Sequence, residues 1–121
     1  MVGKQAHALT PPGGDPQGSS DSDRLHWIEG YSTSTAAFPA DRCSGANGVC
    51  AALFAGTSQA TPQAAAAAAL MMSYHGGARS LTPATVKQLL TTTTDVLPGI
   101  GTDRQGAGRM NAAKAVAAAH P

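Results

Sequence analysis

A chain of 121 residues with a formal net charge of +1 and only 12% charged residues is one domain at most. Its charge leaves no electrostatic footprint for nucleic acid or an anionic membrane. No apolar run reaches the ~18 residues of a membrane-spanning helix, and Met1-Val2-Gly3-Lys4 has no apolar stretch behind it to act as a secretory signal.

The predicted elements begin late. Residues 1–48 form a loop-rich segment, with Gly, Pro, Ser and Asp frequent and little periodicity. Pro11-Pro12-Gly13-Gly14-Asp15-Pro16 and Gly18-Ser19-Ser20-Asp21 carry turn chemistry. His26-Trp27-Ile28 reads as a short strand anchored by Trp27, with His26 solvated. Val49-Cys50-Ala51-Ala52-Leu53-Phe54 is a continuous apolar run, the pattern of a buried strand. Residues 49–121 hold a strand-turn-helix and the C-terminal helices.

The heptad Gly56-Thr57-Ser58-Gln59-Ala60-Thr61-Pro62 follows at once. A strand, a glycine turn and a helix with serine in its first turn hold a hydroxyl rigidly, as a nucleophile requires. The helix start adds unpaired N–H groups and partial positive charge where an oxyanion would form. The helix is predicted from Gln59 to about Tyr74, with Pro62 tolerated in the first turn. Ala64 through Met72 has no polar face, which predicts burial on every side.

A second helix is predicted to start with Thr82 as N-cap and Pro83 at the first position. Val86, Leu89 and Leu90 give it one inward stripe, and the Thr91–Thr94 run suits fraying or an extended exit. After a Gly-rich loop, Asn111 caps a short helix holding Ala112, Ala115 and Val116. Gly106-x-Gly108 follows no strand and is a turn rather than a dinucleotide site. A continuous apolar strand and an all-round apolar helix expect a parallel sheet covered on both faces. Five aromatic residues and two modest helices do not supply that cover, and an uncovered strand edge is a template for aggregation.

Gly56-Thr57-Ser58-x-Ala60-Thr61-Pro62 resembles the nucleophile motif of the subtilisin-like serine proteases, the subtilases. The likeness continues in family order through the alanine-rich helix, Leu81-Thr82-Pro83-Ala84 and Gly106-Ala107-Gly108-Arg109-Met110-Asn111-Ala112-Ala113-Lys114-Ala115-Val116. Upstream, Pro12-Gly13-Gly14-Asp15 resembles the family's Ala-Pro-Gly-Gly loop. The match is specific from about Ala51 onward and weaker before it. Gln59 and Gln63 stand where methionine and histidine are usual.

The resemblance implies an α/β fold, here the C-terminal part of a parallel-sheet peptidase domain that would need roughly 200–250 residues in full. It implies Ser58 as catalytic nucleophile, its own N–H helping to form the oxyanion hole, and peptide or protein substrates. The residues themselves show no cofactor motif, the Cys43 and Cys50 spacing does not fit a zinc site, and no acidic cluster has the spacing of a calcium loop. The resemblance also implies an Asp and a His preceding the serine. Asp15, Asp21, Asp23 and Asp41 lack the family's Asp-Thr/Ser-Gly context, His7 and His26 lack its His-Gly-Thr, and His75 follows the serine. Activity then requires the N-terminal part of a subtilase domain as partner; the alternative is a non-catalytic remnant or interaction module. The family is mostly exported, which implies secretion and a Cys43–Cys50 bridge, against a loop thiol plus a buried strand cysteine.

Overall fold

The computed structural model describes residues 9–14, 26–33 and 48–121. They fall into two compact units, one of residues 9–12 with 60–121, the other of the described residues among 13–59.

In the second unit, β1 (Ile28–Thr33) and β2 (Val49–Phe54) pair antiparallel, from Ile28 opposite Phe54 to Thr33 opposite Val49. Strict alternation sorts the residues: Ile28, Gly30, Ser32, Cys50, Ala52 and Phe54 share the more covered face. Phe54 lies over Gly30, where its ring approaches to 3.5 Å of the space a Cβ would take.

β2 occupies the residues its apolar run predicts. The expected burial on both faces does not hold, because β2 alternates and leaves Val49 51% and Leu53 42% exposed. The first strand begins at Ile28 instead of His26, with His26 exposed ahead of it and Trp27 half-buried. The described sheet is thus small, mixed with helices and antiparallel; no parallel pair of strands occurs among the described residues. Cys50 is disulfide-bonded. Cys43, the only other cysteine of the chain, lies outside the described residues.

The long helix α1 runs from Thr57 to His75, starting two residues before the predicted Gln59, so that Pro62 is its sixth residue and lies inside the helix instead of in the first turn. It ends where Gly77 N–H and the Ser80 hydroxyl both donate to the Met72 carbonyl, at 2.8 and 2.9 Å. Helix α2 (Pro83–Thr92) starts as predicted: the Thr82 hydroxyl accepts from Thr85 N–H at 3.2 Å, with Pro83 next. The threonines do not fray. Thr91, Thr92 and Thr93 each donate a hydroxyl hydrogen bond to the carbonyl four residues back, at 2.8–2.9 Å. That local bonding satisfies the side chains within the helix and its cap.

A four-residue helix, α3 (Thr102–Gln105), occupies part of the predicted Gly-rich loop. Helix α4 (Ala112–Ala118) is capped by Asn111, whose side-chain oxygen accepts from Lys114 N–H at 3.0 Å. None of the described helices is long and apolar enough to cross a membrane.

The core of the first unit gathers Ala67 and Met71 of α1, Leu90 of α2, and Ala115 and Ala119 at the α4 end. The α1 pair and the pair at the α4 end are each spaced i, i+4, so one face of each helix enters. The expectation that α1 is buried on every side fails. Leu70 is 57% and Tyr74 53% exposed, because only Ala67 and Met71 of α1 are buried in the cluster. The chain around α3 is held by backbone pairing: Thr10 N–H to Gly108 O at 2.9 Å, Met110 N–H to Thr10 O at 3.1 Å, and Asp95 and Arg109 in both directions at 2.8 Å. Gly108 has φ +131°, and a Cβ there would meet the Asp95 carbonyl oxygen at 2.8 Å. Only glycine allows that approach.

Candidate active site

The hydroxyl singled out by the sequence stands at a junction of three local structures. β2 delivers the chain to Ala55; Gly56 then turns it with φ +141°, a conformation that side chains disfavour. Gly56 N–H donates to the Gly13 carbonyl at 2.7 Å, and its own carbonyl accepts from Gln59 N–H at 3.1 Å. The first bond fixes the turn against the Pro12-Gly13-Gly14 loop. The second begins α1.

Ser58 is the second residue of α1 and is exposed. Its hydroxyl makes no hydrogen bond to another described residue. Its N–H is among the first-turn donors that have no intrahelical acceptor, at the end of the helix that carries partial positive charge. Such a position can present a nucleophilic oxygen and a donor to the oxyanion formed by its attack.

The described residues do not bring a base to this oxygen. His75 lies in the last turn of the same 19-residue helix, about 28 Å long at 1.5 Å per residue. Its Nδ1 is 2.8 Å from the Ala119 carbonyl. His26 is exposed ahead of β1, and His120 packs edge-on to Tyr74 with ring centroids 5.3 Å apart. His7, Asp15, Asp21, Asp23 and Asp41 lie outside the described residues. Gln63, on the turn after Ser58, donates its amide to the Pro12 carbonyl. It spends its polar end on the loop.

The chain matches the model of the subtilase peptidase family over residues 12–112. The chain belongs to the subtilase family. The matched span takes in both strands, the Ser58 turn, α1, α2 and α3. Membership makes the function of this subtilase domain serine-peptidase-related, with peptides as the class of substrate. No curated protein and no solved structure shows significant similarity to the chain.

Two polar centres escaped the sequence reading of this subtilase. Gln105 is only 4% exposed. Its side chain accepts from Leu97 N–H at 2.8 Å and donates to the Leu97 and Ile100 carbonyls. Asp95 accepts from Lys114 Nζ at 2.5 Å and Asn111 Nδ2 at 2.9 Å, with Arg109 3.7 Å away. The lysine and asparagine hydrogen bonds hold its carboxyl below the ordinary carboxylate range. Asp95 joins residues that only the fold assembles, whereas Gln105 closes a short loop on Leu97 and Ile100 that carries no motif.

Proposed function

We propose that Ser58 is the acylating nucleophile of a subtilisin-like serine endopeptidase whose proton acceptor, and the carboxylate orienting it, come from polypeptide outside these 121 residues. The observation that carries this reading is the exposed Ser58 hydroxyl in the first turn of α1, directly after the β2–Gly56 turn. The Ser58 oxygen attacks the peptide carbonyl carbon as an imidazole takes its proton. The Ser58 N–H donates to the oxygen that becomes negative. The C–N bond then breaks, the proton passes to the departing amine, and water hydrolyses the acyl-enzyme.

The completing part supplies the parallel strands that an apolar strand and helix call for. The exposed Leu70 and Tyr74 of α1 favour this reading, as large apolar side chains left uncovered. The disulfide at Cys50 favours an exported enzyme, since such bonds persist in oxidising compartments.

Taken alone, the chain reads as non-catalytic. His75, the imidazole that α1 itself carries, is engaged at the far end of the helix. An unassisted serine is a weak nucleophile, and loss of triad members in subtilisin costs up to about 10⁶ in turnover. The test is fluorophosphonate labelling of the purified chain, alone and mixed with a polypeptide carrying a subtilase's Asp-Thr-Gly and His-Gly-Thr segments. Mass spectrometry should find no adduct on the chain alone and a stoichiometric adduct at Ser58 in the mixture, abolished by Ser58→Ala. Labelling of the chain alone would refute the external base. An adduct elsewhere in the mixture would refute Ser58 as nucleophile.

A further inference from the structure

The first unit contains a concave feature that the peptidase reading does not use. Between the end of α1, the Leu81 turn and α2 lies an open groove of about 380 Å³, within the usual range of small-molecule sites. Met72, Leu81, Val86 and Leu90 form its apolar walls. Its polar lining is Lys87 and Thr91, one turn apart on α2.

These two differ in what they can still offer. The Thr91 hydroxyl already donates to the Lys87 and Gln88 carbonyls, at 2.9 and 3.1 Å. Lys87 is exposed and makes no ion pair or hydrogen bond through its ammonium with another described residue. An apolar trough with one unspent cation at its edge is complementary to a molecule with an alkyl body and an anionic end. Burial of the body supplies most of the affinity, and the charge selects among equally apolar ligands.

We infer that this groove binds a medium-chain alkyl carboxylate, with the chain along Met72, Leu81, Val86 and Leu90 and the carboxylate at Lys87. The site is separate from Ser58 and does not depend on the peptidase reading.

The experiment titrates the 121-residue chain with decanoate below its micelle threshold, with decanol as the uncharged counterpart. Binding is followed by calorimetry and by methyl NMR shifts, with far-ultraviolet circular dichroism confirming the fold throughout. The expected result is saturable one-to-one decanoate binding that moves the Met72, Val86 and Leu90 methyls. Lys87→Gln should weaken decanoate about three- to fivefold, the scale of a solvent-exposed ion pair, and leave decanol unchanged. Lys87 is a surface residue, so the variant keeps the fold. Failure of the folded chain to bind decanoate would overturn the proposal. So would equal weakening of both ligands, or shifts confined to other methyls.

Discussion

At the scale of single residues, the chain separates what a local motif can announce from what only folding creates. The strand, turn and helix start around Ser58 were legible because all three are written within ten neighbouring positions. Asp95 was not. Its partners Arg109, Asn111 and Lys114 are 14 to 19 positions away, and they converge because Gly108 lets the 95 and 109 backbones pair. The folded state holds the Asp95 carboxyl below its ordinary value near 3.8, through the Lys114 hydrogen bond first and that of Asn111 second. A depressed carboxyl stabilises the fold above the unfolded value and loses that contribution as pH falls through the folded one. Asp95→Asn should therefore lower the urea midpoint at pH 7, and the gap to wild type should close as the pH drops below about 4. Urea titrations at several pH values, read at 222 nm, check this. A gap constant down to pH 2 would contradict it.

At the scale of elements, the starts of α2 and α4 were read correctly because capping is a property of a few adjacent side chains. Thr82 and Asn111 accept from the N–H groups three residues on, as their positions predict. Burial was read less well, since it depends on what lies opposite. β2 was placed to the residue, yet its antiparallel partner could not be inferred from its own apolar run, and that pairing leaves it alternating. The same holds for α1, whose hydropathy is nearly uniform while only Ala67 and Met71 are buried. Met71 is the largest fully buried side chain among the described residues, and the rest of its cluster is three alanines and Leu90. Small neighbours fixed on helices collapse poorly into a void. Met71→Ala should cost about 2–5 kcal/mol, measured as a fall in the urea midpoint. Leu70→Ala on the exposed side should cost under about 1 kcal/mol. Similar losses at both positions would show that α1 buries a different side.

At the scale of the whole molecule, family membership was legible and the arrangement of units was not. The motifs that betray the family are short, ordered and mostly local, whereas unit boundaries depend on contacts between distant segments such as Thr10 with Arg109. That organisation makes a separable prediction for the disulfide. Cys50 lies on β2, within the unit built from residues 13–59. Closed with Cys43, the chain's only other cysteine, such a bond would tie a loop short enough to stabilise by about 2.5 kcal/mol on the chain-entropy model. A two-stranded sheet is marginal by itself in water, so losing that constraint should fall on β1 and β2. The helical unit has its own core in Ala67, Met71, Leu90, Ala115 and Ala119 and contains no cysteine. Reduction with dithiothreitol should therefore abolish amide hydrogen-exchange protection at residues 28–33 and 49–54, while protection in α2 and α4 changes less than twofold. Loss of protection in all elements together would mean that the two units fold as one.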